Sequence, residues 1–281
     1  MAKSLKAGEV MNLDIDVKKI FKIYEIDDEK YLYNCISAIE LVKQNNSLYN
    51  IVNGICDVLY DNQDYSLVEE IRNKSYDKIF GTFCSNKYIT NVIALMGLAK
   101  NEVLEMKDTV QNILVYGSEG MRVRQMVFLS FILNDKILEV DGFRFQYIVG
   151  KADCANILIH ITKTAHLEKF SDILQLSNIV IKDKWGISDI CYECESWILS
   201  EEIIDCLSSA SRILGFRSFF EIRRGTDCTT DILKFVFGIF ENEQDIDYSK
   251  LEENTSLQRK IKEKLVSGKQ FYSGIGMIKK L

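Results

Sequence analysis

From residue 14 onward, through the first 116 residues, apolar side chains recur at i, i+3, i+4 and i+7, the spacing of an amphipathic helix. Val17, Ile20, Phe21 and Tyr24 follow Asp14 or Asp16 as N-cap. Leu32, Cys35, Ile36 and Ile39 follow Asp27 and Asp28, and Leu48, Ile51, Val52 and Ile55 follow Ser47. Two further sets are Ile89, Val92, Ile93, Met96 and Val103, Met106, Val110, Ile113. Short polar breaks make successive helices antiparallel, so residues 1–116 read as a helical bundle. No residue signature repeats at a fixed period, which argues against a repeat array. Residues 117–133 extend the pattern with a helix that becomes apolar nearly all round and should be buried.

At residues 136–149 helical spacing gives way to alternation. Asp141-Gly142 suits a two-residue type I′ turn, because both positions need positive φ. The register then follows: Val140 faces Phe143, Glu139 faces Arg144 and Leu138 faces Phe145. Val140, Leu138, Phe143, Phe145 and Tyr147 share one face, which the preceding apolar run Met126–Leu133 is expected to shelter. Beyond the hairpin the pattern predicts helices over Asp153–Thr164, His166–Ser177, 188–199, 200–214 (ending at Gly215 as a left-handed cap) and Thr230–Phe240. Strands are predicted over Asn178–Asp183 and Phe216–Arg224. The fold class is α+β and predominantly helical: an N-terminal bundle, then a small sheet around the 136–149 hairpin covered by helices. Three segments result: the bundle 1–116, the α+β region 117–240, and a tail 241–281. The tail is first acidic, then basic, and its basic part carries Leu257, Ile261 and Leu265 on one helical stripe.

Composition narrows the class. The chain has 281 residues, 47% hydrophobic and 27% charged, enough to bury a large core. No apolar run reaches the length of a membrane span, and the N-terminus lacks the core of a signal peptide, so an intracellular, cytoplasmic protein is expected. Eight cysteines inside apolar patterns point to a reducing compartment. Proline is absent, and Ile, Lys and Asn abound, the bias of an AT-rich genome such as those of some viruses and phages. The net charge of −6 argues against a surface that coats nucleic acid.

Candidate chemistry is sparse. Nucleotide-binding glycine loops and the Gly-x-Ser-x-Gly elbow are missing. His166-Leu167-Glu168 followed by Cys191-Tyr192-Glu193-Cys194, with a hairpin before and a short strand between, resembles the cytidine deaminase family over about residues 119–240. That resemblance implies a zinc held by His166, Cys191 and Cys194, with Glu168 as the acid/base; zinc is the one cofactor suggested. Trp185-Gly-Ile-Ser-Asp189-Ile190-Cys191 resembles the start of a helix-turn-helix of AraC-type regulators. Helices followed by a hairpin also suit a winged helix with Arg122 and Arg124 on phosphates, and Arg259, Lys260, Lys262 and Lys264 offer a basic face to nucleic acid. With no convincing catalytic constellation, the leading expectation is a non-catalytic binding or assembly protein working through protein partners or self-assembly. A zinc hydrolase and a nucleic-acid-binding regulator are the alternatives.

Overall fold

In the computed structural model residues 13–61, 88–116, 123–148, 155–239 and 246–279 are described. The chain divides into two compact units, Met1–Lys136 and Ile137–Leu281. The division thus falls at 136/137, and the tail from 246 onward belongs to the second unit rather than standing apart.

The first unit is helical: α1 (Val17–Ile23), α2 (Glu29–Gln44), α3 (Asn46–Cys56) running into a π-helical turn, α4 (Ile89–Lys100), α5 (Lys107–Tyr116) and α6 (Val123–Leu133). Caps fix the first three starts. Asp16 accepts from Lys19 N (2.9 Å), Asp28 from Tyr31 N (2.8 Å) and Asn45, two residues before the expected Ser47, from Leu48 N (3.0 Å). The most apolar helix, α4, buries Ile89, Val92, Ile93, Leu95 and Leu98 and packs against α2, α3 and α6.

The second unit corrects the fold expected from patterning. Instead of a hairpin-sized sheet in a mostly helical protein, it holds a six-stranded mixed sheet flanked by helices, in the order β1-β2-β3-β4-β6-β5. The strands are β1 (Ile137–Val140), β2 (Phe143–Ile148), β3 (Ala155–Ile161), β4 (Ile190–Ser196), β5 (Phe220–Asp227) and β6 (Tyr272–Ile278). Only β3 and β4 pair in parallel, joined by the crossover helix α7 (Phe170–Trp185).

The hairpin has the register its turn dictates, with Val140 opposite Phe143, Glu139 opposite Arg144 and Leu138 opposite Phe145. Asp141 and Gly142 take φ of 45° and 80°. Gly142 is further required because a Cβ there would stand 2.6 Å from Ala165 N. What shelters the hairpin comes after it in sequence: Phe143 packs on Phe170 and Phe216, and Phe145 meets Tyr192 edge-on.

Several predicted elements change type. The helix expected over Asp153–Thr164 is β3, whose Ile157 and Ile159 are buried while Asn156 is exposed, a period of two. The strand expected over Asn178–Asp183 lies inside α7. There Phe170, Ile173, Leu174, Ser177 and Ile181 form the buried stripe, and Ile179 points outward, 67% exposed. The helix expected over 188–199 is β4 followed by a 3-10 turn (Trp197–Leu199). Residues 200–214 hold a 3-10 turn and the start of a short helix, α8 (Arg212–Arg217). Gly215 sits within α8, and the left-handed caps are Gly186 and Gly238, the latter ending α9 (Thr229–Phe237).

The tail docks as α10 (Ser256–Val266), started by a Thr255/Gln258 capping box and burying Ile261 and Leu265. It then returns as β6, wedged between β4 and β5.

Candidate active site at the open end of the parallel strand pair

The parallel ladder is short. It joins Ala155–Leu158 of β3 to Ile190–Glu193 of β4 and stops there, although both strands continue: β3 stays paired to β2 as far as Ile161, and β4 to β6 as far as Ser196. The two strands therefore part company at their C-terminal ends.

Alternation tells which main-chain groups line the gap. Thr162 N donates to Gly142 O on the β2 side, and Ala155 N donates to Asp189 O on the β4 side, so the odd-numbered residues of β3 direct their N–H and C=O toward β4. Beyond the last rung, Ile161 on one side and Glu195 on the other turn polar main-chain groups into the gap with no ladder partner across it. Such groups need a hydrogen-bonding occupant. In open sheets containing parallel strands, the crevice beyond the carboxyl ends is also where ligands bind.

The side chains at this level form a row on one face of the sheet. Glu139 pairs with Arg144 and Arg144 with His160, and continuing the 158/193 register sets Glu195 opposite His160 across the gap. Arg144 and Glu139 form an ion pair of 2.7 Å. His160 Nε2 lies 2.8 Å from Oε1 of Gln146, itself only 5% exposed. On the far bank Glu195 accepts from Ser273 Oγ (2.8 Å), whose oxygen in turn accepts from Thr226 N (3.1 Å).

The chain from β3 to α7 closes one end. Thr162 Oγ1 donates to Gly142 O at 2.7 Å, and Lys163 and Lys169 are exposed on this connection. Lys169, the N-cap residue of α7, makes no side-chain cap bond.

The residues singled out by sequence are not brought together as a metal centre. His166 and Glu168 lie on the exposed β3–α7 connection, 3.2 Å apart, with Arg212 3.4 Å from the same carboxylate. A backbone N–H at its own position, and then His166 and Arg212, hold the Glu168 carboxyl below its usual range. Cys191 and Cys194 are three apart on β4, not one turn apart on a helix, so they point to opposite faces. Cys191 is disulfide-bonded, while burial and then the Glu193 and Glu195 carboxylates push the Cys194 thiol up to about 12. Neither sulfur is a thiolate ready to bind zinc. Among the described residues no three His, Cys, Asp or Glu side chains gather as a ligand set, which corrects the zinc expectation.

The basic face of α10 is tied to its own unit. Lys262 bonds Glu253 (2.7 Å) and Leu251 O (2.8 Å), Lys260 reaches Asp205 O (3.1 Å), Lys264 pairs with Asp205 (3.4 Å) and Arg259 with Glu253 (3.7 Å). Arg122 lies outside the described residues; Arg124 is in the first turn of α6. Trp185-Gly186 ends α7, and Asp189–Cys191 leads into β4, so that stretch is no helix-turn-helix.

The sequence model of the GNAT-like C-terminal domain matches residues 138–278, half of the chain. The chain belongs to the GNAT-like C-terminal domain family. Solved structures of similar fold extend the likeness beyond the GNAT-like half. An acyltransferase in complex with decanoyl-CoA and teicoplanin superposes with a TM-score of 0.65 at 15% identity, covering 97% of this chain and 90% of that one. An acyltransferase in complex with CoA and 10C-teicoplanin gives 0.64 at 15%, covering 98% and 91%. One in complex with decanoyl-CoA alone gives 0.55 at 13%, covering 94% and 99%. No curated protein sequence matches the chain.

The GNAT-like assignment and these folds overturn the expectation of a non-catalytic assembly protein, and with it the zinc hydrolase and regulator readings. Sequence analysis singled out neither His160 nor Glu195 for chemistry. The available signal was the alternation Asn156, Leu158, His160 against Ile157, Ile159, Ile161, which puts the histidine on the face opposite the core. Among the described residues no helix is long and apolar enough to cross a membrane.

Proposed function

We propose that this GNAT-like protein transfers an acyl group from a coenzyme A thioester to an acceptor nucleophile, with the thioester lying in the gap between β3 and β4. The observation that carries this reading is the end of the ladder at Leu158/Glu193, which leaves Ile161 and Glu195 main-chain groups facing an open slot inside a GNAT-like sheet. An amide-rich pantetheine arm can complete the interrupted ladder, as an added strand does.

The residues present suit that donor. N–H groups of Ile161 and Glu195 face the slot and can receive the charge that develops on the thioester oxygen. The N-terminal end of α7, uncapped by any side chain, with Lys163 and Lys169 beside it, suits the phosphates of the nucleotide end. His160 is the base. With Nε2–H donated to Gln146, its lone pair is on Nδ1, which takes the proton of the attacking nucleophile. The nucleophile's new bond to the acyl carbon replaces the carbon–sulfur bond, and the departing thiolate takes up a proton.

The test is binding and turnover with acetyl-, octanoyl- and decanoyl-CoA. Calorimetry should register CoA at a dissociation constant on the order of 1 μM to 1 mM, and free thiol should appear when primary amines or hydroxyl compounds are supplied. His160→Gln should retain CoA binding and lose roughly 10²–10⁴-fold in rate. A folded wild-type protein that binds none of the three thioesters would overturn the reading.

A further inference from the structure

The outer edge of the sheet carries a pattern independent of the acyl-transfer reading. Among the described residues β5 is an edge strand, paired only to β6. Lys279 N donates to Phe219 O at 3.0 Å, so the main-chain groups of Phe219, Glu221 and Arg223 turn toward β6. Those of Phe220, Ile222 and Arg224 turn outward, and among the described residues none of these three makes a main-chain hydrogen bond on that edge. An edge of this kind is a template for another strand. The side chains say which. Glu221 and Arg223 are exposed on the same face, two residues apart, and neither takes part in an ion pair among the described residues. Ile222, between them, is half-buried on the other face.

We propose that two copies of this chain pair β5 against β5 about a two-fold axis at Ile222, so that the two sheets become one continuous sheet. Such an axis, perpendicular to the sheet, keeps every side chain on its own face and makes the interface the same patch on both copies. Centred on Ile222, it sets Glu221 of each copy against Arg223 of the other and Ile222 against itself. The outward groups of Phe220 then meet those of Arg224 in the second copy. Neighbouring centres fail: Arg223 as the centre opposes two arginines, and Arg224 as the centre opposes Glu221 and Asp227. The irregularity between Arg224 and Asp227 ends the regular edge, which confines the pairing to the stretch where the charges match.

The experiment is a molar-mass measurement by sedimentation on the full chain, over a roughly hundredfold range of protein concentration. Wild type should give a dimer. Arg223→Glu and Glu221→Arg alone should each shift the dissociation constant at least about tenfold toward monomer, since each places like charges opposite. The double change Glu221→Arg with Arg223→Glu should restore the dimer. Far-ultraviolet circular dichroism, unchanged for these exposed positions, separates loss of pairing from loss of fold. A wild type that remains monomeric throughout, a dimer indifferent to the single changes, or a double change that fails to recover it would each overturn the proposal.

Discussion

At the scale of single residues, the proposed transfer rests on His160 and the Gln146 beside it, and the packing of the second unit on Gly274. Gln146 is buried with its Oε1 2.8 Å from Nε2 of His160, and in the proposed transfer it holds that nitrogen as the donor. In Gln146→Met the ring loses that acceptor. CoA binding should be unchanged while kcat falls, by less than the roughly 10²–10⁴-fold that loss of the base itself costs; a kcat equal to wild type would remove Gln146 from the mechanism. Gly274 has a different role. A Cβ there would come within 2.2 Å of Leu199 O, a backbone atom that cannot swing away. Gly274→Ala should therefore destabilise the second unit by about 1–3 kcal/mol, read as a lower urea midpoint at unchanged slope. Glu202 adds a pH dependence. Burial alone would push its carboxyl up, but hydrogen bonds from Ser200 Oγ, its own N–H and Tyr272 N, with the Arg224 guanidinium, hold it below its ordinary 4.5. A depressed carboxyl contributes stability above its unfolded value, and that contribution disappears as pH falls through the lower folded value. Melting temperatures of wild type and Glu202→Gln should accordingly differ most near neutrality and converge between about pH 5 and pH 3; curves that stay parallel would deny the carboxylate this role.

Among the elements, α10 shows how far local signals reach. Thr255 accepts from Gln258 N and Gln258 Oε1 accepts from Thr255 N, at 3.1 and 2.9 Å. Thr255→Ala removes half of that box and should cost about 1 kcal/mol of stability in denaturant titration. The stripe Leu257, Ile261 and Leu265 of this helix was legible in the sequence, while its capping box went unread. Also legible were α1 to α4 and the hairpin register, because caps, turn residues and a clean period all act within a few positions. What escaped was set by neighbours far along the chain. The run Ile157–Ile161 is apolar often enough to pass for a helix, and β3 becomes a strand through β2 and β4 on either side. Asn178–Asp183 is rich in strand formers, yet Ile173, Leu174 and Ile181 commit it to α7 against the sheet. β6 carries glycines where an apolar side chain would announce a strand, since Leu199 and Phe220 occupy the space above Gly274 and Gly276. The slot was illegible for the same reason: it is a failure of two strands to stay paired, and no single stretch of sequence encodes it.

For the whole molecule, the decisive feature is that β6, the last of the described strands along the chain, is an interior one. β6 joins β4 to β5, so the order of the sheet is not the order of the chain, and the second unit cannot complete its core until the tail has been threaded between strands already present. Deleting residues 267–281 would take β6 away from both partners. It would strip the ladder from Glu193–Ser196 and from Phe220–Arg224, and expose Cys194, Leu199 and Phe220, each no more than 3% exposed in the intact chain. The loss falls on a single cooperative unit, because these residues share one core with Phe143, Phe170 and Phe216. Fluorescence can read that unit alone: the two tryptophans of the chain, Trp185 and Trp197, both belong to it. In the truncated protein their emission should already sit at the wavelength of the urea-unfolded chain in plain buffer. The far-ultraviolet helical signal of Met1–Lys136 should persist and melt separately. Tryptophan emission and urea midpoint matching those of the full chain would mean that the sheet closes without β6, and the strand order on which the slot and the edge pairing both depend would have to be abandoned.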